Sequence, residues 1–244
     1  SKKRKLSRKR YDYFRWAEHT CMAYADLLVF PSTGAANAYR SAYQDRLSFK
    51  TIHYLPSGVD VEGETETNSN HATPIREPNS KLTVGFIGRY NNHKGYDLYC
   101  SAPQELASQS LRFISAGNGP LKSTPSVENL GWISDISGLL RSLDIIIIPN
   151  RIAYYDLLPL EAAHFGIPLV FTPAGGSVDQ AKLLPDTIVA AGVDASSLNV
   201  AIKAAVDKKR TQPNWGHLNK FAYVDIFSAK AMLERWDAFL SAVL

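Results

Sequence analysis

The chain lacks most of the features that mark membrane, secreted and metal-binding proteins. It contains no run of 18 apolar residues, so no segment reads as a membrane span. Its basic start is not followed by an apolar stretch and a small-residue cleavage site, so no signal peptide is expected. Position 1 is not Met, which suggests a processed or cut beginning. Only two cysteines occur, Cys21 and Cys100, without metal-ligand spacing. Free thiols in a reducing cytosol are the expectation. His-x-x-x-His and Asp-x-Asp pairs are both absent, so nothing points to a resident metal ion.

What is present is ordinary for an α/β protein: 244 residues, 45% hydrophobic and 20% charged, which excludes a disordered chain. The net charge of +4 is unevenly spread. Lys2, Lys3, Arg4, Lys5, Arg8, Lys9 and Arg10 supply seven of the 27 basic residues, and the rest of the chain is slightly acidic. A nucleic-acid binder needs cations across a folded face, so a nucleic-acid partner is not expected. The default reading of the run is a solvated tail or first helical turns. Its leading functional alternative is peripheral contact with anionic lipid at the inner face of a membrane.

Periodicity gives the organisation. Helical spacing covers Tyr11–Tyr24, a short apolar strand covers Leu27–Phe30, and Ser32 or Thr33 caps a helix running to about Gln44. A strand at Thr51–Leu55 ends in the turn Pro56-Ser57-Gly58. Residues 61–80 have linker composition and form the expected boundary. Strands are then expected at about 82–87, 111–115, 128–130, 144–148, 168–172 and 187–190. Helices are expected at about 96–107, 136–141, 158–165, 177–184 and 197–208. This alternation predicts a doubly wound parallel sheet in an α/β domain over 81–227. A last helix over 228–244 carries Leu233, Trp236, Leu240 and Val243 on one face.

In such sheets ligands bind beyond the carboxyl ends of the strands. Gly88-Arg89-Tyr90-Asn91-Asn92-His93-Lys94-Gly95 follows the first strand of this domain and places two cations near a helix N-terminus, which suits a phosphate or pyrophosphate. It is neither a Walker loop nor a Gly-x-Gly-x-x-Gly fingerprint, and cations in a loop can equally be structural or solvated. Ala116-Gly117-Asn118-Gly119-Pro120, Gly131-Trp132-Ile133, and Thr172-Pro173-Ala174-Gly175-Gly176 follow other strands. Each reads alone as a turn. Glu161, early in a helix, is either a dipole-favoured acid or a ligand contact.

Taken in order, these segments resemble the retaining GT-B glycosyltransferases of glycosyltransferase family 4 (group 1). The resemblance rests on Gly88, Arg89, Lys94, Gly95 and Asp97; on Gly117, Gly119 and Pro120; on Gly131 and Ile133; on Leu160, Glu161, Ala162, Gly166, Pro168 and, shifted by one, Val170; and on Gly175-Gly176. Earlier matches are Glu18, Ala25-Asp26, Ser32 and Ser57-Gly58-Val59-Asp60. The resemblance implies a Rossmann-like donor-binding domain over 81–227, with 1–60 as the closing segment of a first, acceptor-side domain whose beginning is absent. Residues 228–244 would cross back to that segment.

It also implies transfer of a sugar from a nucleotide-diphosphate donor to a glycan or lipid-linked acceptor, with retention and without a metal, in the cytoplasm. UDP or GDP would be the product, and no cofactor is needed. Arg89 and Lys94, beside Gly88 and Gly117, would grip the pyrophosphate and stabilise the leaving group. Trp132 and Ile133 would hold the base through their backbone, and Glu161 the ribose. Amides near Tyr155, Asp156 and Leu157 would meet the sugar and second phosphate. One departure stands out. The family's first glutamate, eight residues before the ribose one, is Ala153, and its Phe-Gly is Tyr155-Asp156. Sugar recognition is then altered, with Asp156 or Arg151 contributing, or activity is impaired. A non-catalytic nucleotide-sugar module, a cut piece of an enzyme, a nucleotide-sugar epimerase and an anion-binding scaffold directed by the basic tail remain open.

Overall fold

The computed structural model describes residues 8–42, 51–61 and 81–243. The basic residues Lys2, Lys3, Arg4 and Lys5, and nearly all of the expected linker, lie outside these. The first part contains α1 (Arg8–Tyr24), β1 (Leu27–Phe30), α2 (Thr33–Ala42) and β2 (Thr51–Tyr54), with β1 and β2 paired in parallel. Ser32 caps α2, its hydroxyl accepting from the Ala35 N–H at 3.1 Å. The spacing that marked α1 does not translate into burial. Met22 is its one buried residue, while Tyr11, Tyr13, Phe14, Trp16 and Tyr24 are exposed.

The second part is a six-stranded parallel sheet. In chain order it contains β3 (Leu82–Ile87), α3 (Tyr96–Glu105), β4 (Leu111–Ala116), β5 (Glu128–Asn129), α4 (Ile136–Arg141), β6 (Ile145–Ile148), α5 (Leu158–His164), β7 (Leu169–Phe171), α6 (Gly176–Leu183), β8 (Thr187–Val189) and α7 (Ala195–Thr211). The strand order is β5-β4-β3-β6-β7-β8. The expected α/β fold with a doubly wound parallel sheet is therefore observed. Chain direction through the sheet reverses between β3 and β6, the place where ligands bind in open α/β sheets, and the loops leaving these two strands meet there. Strand β6 shows why the strands read as unbroken apolar runs. Ile145 and Ile147 enter the core on one face, with Tyr99 and Ile202; Ile146 and Ile148 enter the core on the other, with Leu160 and Phe227. Burial on both faces leaves no polar position.

Two elements depart from the sequence reading. A short helix, α8 (His217–Ala222), followed by a wide turn at Tyr223–Phe227, was not expected. Its start is Gly216 rather than a hydroxyl or carboxylate residue, so the usual entry signal is missing. The last helix, α9 (Ala229–Val243), exposes Leu233, Leu240 and Val243 and docks through other positions. Met232 Sδ accepts from the Gly58 N–H at 3.1 Å, Arg235 Nη2 donates to the Pro56 carbonyl at 2.8 Å, and Phe239 meets His53 with ring centroids 4.8 Å apart. Its contact face is thus offset from the apolar stripe. Contact with a polar loop and a half-buried strand is made by sulfur, guanidinium and ring edge together.

α8 is locked by a buried polar cluster. Asn219 is fully buried, accepts from the Asp186 N–H at 2.9 Å, and donates to the carbonyls of Ile167 and Asp186 at 3.1 Å each. Asn219→Ala leaves the Asp186 N–H and the Ile167 carbonyl unsatisfied, while the Asp186 carbonyl keeps the Leu169 N–H, and should cost about 2–3 kcal/mol, measured as a shift in urea midpoint at constant slope.

Candidate functional site

Every loop singled out in the sequence lies at the carboxyl edge of the sheet. Backbone hydrogen bonds stitch the first three together. The Gly88 N–H donates to the Ala116 carbonyl at 2.9 Å, Tyr90 N–H to Asn118 at 2.8 Å, and Gly117 N–H to Gly131 at 2.7 Å. At Gly117 a Cβ would overlap the Gly88 carbonyl oxygen, so only glycine allows this approach. Tyr90 reinforces the group, its hydroxyl donating to Asn129 Oδ1 at 2.8 Å and lying 3.1 Å from the Ser115 hydroxyl; Asn129 Oδ1 also accepts from the Gly131 N–H at 2.9 Å. The loop carrying Arg89 and the loop carrying Trp132 and Ile133 are thereby fixed relative to each other. Arg89 itself is exposed and pairs with nothing among the described residues. Trp132 is 79% exposed.

At the switch point, the loop after β6 crosses the loop after β3. The N–H groups of Arg151 and Ile152 donate to the His93 carbonyl at 2.8 and 3.3 Å. Arg151 also makes a bidentate pair with Asp97 at 2.6 and 2.7 Å and donates to the Asn92 carbonyl at 3.0 Å. The Arg151 hydrogen bonds hold the Asp97 carboxyl below the usual carboxylate range. Its contribution to stability is therefore present above that range and lost as the pH falls through the lowered value. Arg151 is thus a loop clamp, with its guanidinium engaged by Asp97.

Lys94 does not stand free. Its Nζ lies 2.6 Å from both oxygens of Asp156. Asp156 Oδ2 also accepts from Asn150 Nδ2 at 2.6 Å, and the Asp156 carbonyl accepts from Gln180 Nε2 at 2.6 Å. Both amide residues are buried. Neither Asn150 nor Gln180 was picked out from the sequence. Asn150 had a usable signal, standing directly beyond β6 at the switch point; Gln180, one polar residue inside a helix, had none. Beside this pair, the backbone N–H groups of Tyr155, Asp156 and Leu157 have no acceptor among the described residues. The Tyr155 hydroxyl is buried without a partner and its pKa is pushed up, chiefly by desolvation. Ala153 is buried and its carbonyl accepts from the Gly176 N–H at 3.2 Å.

Glu161 belongs to a separate grouping. It lines a cleft of about 440 Å³ with Asp60, Ser134, Ser137 and Arg141. Its carboxylate has no hydrogen-bond partner among the described residues, and burial raises its pKa. A raised value means that the folded state holds the proton more tightly than the unfolded chain. The charge therefore weakens the fold as the pH rises through that value. Glu161→Gln should raise the melting midpoint by about 1–3 °C at neutral pH. The gain should vanish below about pH 4, where the carboxyl is protonated in both states. Melting curves at the two pH values check this. No group of His, Cys, Asp or Glu among the described residues is arranged to hold a metal ion.

The fold is that of a parallel α/β domain whose carboxyl edge carries an exposed arginine, a lysine–aspartate pair, open backbone amides and, in a separate cleft, a partner-free carboxylate. Residues 81–207, just over half of the chain, match the family model described as "Glycosyl transferases group 1", and the chain belongs to that family. Among curated relatives, the 2-deoxystreptamine N-acetyl-D-glucosaminyltransferase of Niallia circulans is 31% identical over 114 residues, 41% of this chain and 29% of that protein. The chain spans well under half the length of the curated relatives it matches. Among solved structures, sucrose-phosphate synthase from Thermosynechococcus elongatus superposes with a TM-score of 0.72 at 14% identity, covering 98% of this chain and 64% of that one. Anabaena Alr3699/HepE, solved in complex with UDP and glucose, gives 0.72 at 15% identity, covering 95% and 67%. These structures are GT-B glycosyltransferases and share the fold.

Proposed function

We propose that this chain carries the donor-binding half of a retaining glycosyltransferase of family 4. It transfers a sugar from a nucleotide-diphosphate donor, with UDP or GDP as product, to a glycan or lipid-linked acceptor. The observation that carries the reading is the meeting of two loops at the sheet's switch point. Arg89, Lys94 and the open N–H groups of Tyr155, Asp156 and Leu157 all belong to them. Breaking the sugar–phosphate bond places negative charge on a diphosphate. Fixed cations and amides stabilise that charge without a metal ion. Glu161, free to accept from ribose hydroxyls, and the Trp132-Ile133 backbone, beside the base, complete the nucleotide contacts.

The test separates the two halves of the ligand. Glu161→Gln should weaken UDP or GDP binding about tenfold, the loss of a charged hydrogen-bond acceptor. It should leave inorganic pyrophosphate binding within twofold. Equal losses would remove the ribose role.

A second reading, binding without transfer, is supported by Ala153, which offers no polar group where the family carries a glutamate. Hydrolysis or transfer of a nucleotide sugar by this chain, beside a longer one, distinguishes the two. The basic start extends into α1, where Arg8, Lys9 and Arg10 adjoin exposed Tyr11, Tyr13, Phe14 and Trp16. We propose that this first stretch of α1 meets an anionic membrane surface in the cytoplasm. Cosedimentation with anionic vesicles, and none with neutral ones, is the expected result. No helix among the described residues is long and apolar enough to cross a membrane.

A further inference from the structure

We infer that Asp156 is a determinant of ligand binding at the switch point: it latches Lys94 in a closed ion pair, so an entering diphosphate must compete for that ammonium. The inference rests on the reading of Lys94 as a phosphate ligand.

The two members of the pair are held very differently. Asp156 is fixed from both ends. Asn150 Nδ2 donates to its carboxylate and Gln180 Nε2 to its carbonyl, each at 2.6 Å, and both residues are buried. Asn150 is in turn anchored, its own carbonyl accepting from the Thr172 hydroxyl at 2.5 Å. The Lys94 ammonium, in contrast, ends a flexible four-carbon stem on a loop, and its side chain is 31% exposed. The lysine is therefore the member that moves. In the closed state the pair has no net charge, and Arg89 is the cation of this loop left without a carboxylate partner among the described residues. Two cations in the sequence thus act as one until the latch opens.

The arrangement follows from a single side chain. Asp156 stands next to the open N–H groups of Tyr155 and Leu157, where a carboxylate is the least favourable neighbour for an anion. Its position there is nonetheless built into the core through Asn150 and Gln180.

Inorganic pyrophosphate is the probe, titrated calorimetrically into four proteins: the parent chain, Asp156→Asn, Lys94→Ala and the double variant. Asp156→Asn is expected to tighten binding about three- to tenfold when Lys94 is present. In the Lys94→Ala background the gain should be less than a third of that. Asp156→Gly, which removes the carboxylate and any new amide contact, should give the same pattern. Equal gains in both backgrounds would mean repulsion through space and would overturn the latch alone. So would no gain from either substitution at Asp156. If removing Lys94 from the Asp156→Asn protein leaves pyrophosphate affinity unchanged, the phosphate reading itself falls, and the latch with it.

Discussion

Gly95→Ala should destabilise the chain by about 3 kcal/mol or more and remove ligand binding with it. Gly95 caps α3 in a left-handed conformation, φ 64°, which costs an alanine about 1 kcal/mol by itself. Steric overlap costs more. A Cβ at this position would collide with the Pro149 carbonyl oxygen, where the loops after β3 and β6 cross. That carbonyl belongs to backbone and cannot swing aside as a flexible side chain would. Relief would require the crossing to open, breaking the hydrogen bonds from Arg151 and Ile152 to the His93 carbonyl. Lys94 and Asp156 would then no longer meet. A fall in urea midpoint, together with loss of pyrophosphate binding under conditions where the protein remains folded, is the expected pair of results. Normal stability would show that the loops do not cross as described.

The second large effect concerns the cations. Arg89→Ala with Lys94→Ala should weaken nucleoside diphosphate binding by about a hundredfold, since charge-assisted contacts to phosphate contribute roughly 1.5–3 kcal/mol each. Arg89→Ala alone should account for the greater part, because Lys94 is shared with Asp156 in the unliganded chain. Both side chains lie on the surface at the switch point and neither supports the core, so the melting midpoint of the double variant should stay close to that of the parent. Titration calorimetry at low ionic strength measures the loss, and its decline with added salt confirms its electrostatic origin.

Most of the fold could be read from the sequence because each parallel strand is buried on both faces. Ile145–Ile148 has only one sensible interpretation, and the turn glycines beyond β3 and β4 mark where the strands end. What could not be read was whatever depends on partners distant in sequence. Helix α8 forms around the buried Asn219–Asp186 cluster, whose members are 33 positions apart. The docking face of α9 is chosen by Gly58, Pro56 and His53, not by its own apolar stripe. The candidate site divides the same way. Arg89, Lys94, Gly117, Trp132 and Glu161 were visible as residues beyond strand ends. The pairing of Lys94 with Asp156 joins positions 62 residues apart, and its support Gln180 emerges only when α6 packs against the loop after β6.

The central claim is that this site binds a nucleotide-diphosphate sugar. Its most direct test is the melting midpoint of the chain in the presence of UDP-, GDP-, ADP- and dTDP-sugars at millimolar concentration. A ligand that binds only the folded state stabilises it by mass action, by about 2.7 kcal/mol at a hundred times its dissociation constant. The account predicts that at least one of these donors raises the midpoint by several degrees, and that the rise disappears when Arg89 and Lys94 are both alanine. No rise with any nucleotide sugar, or a rise that survives the double substitution, would contradict it.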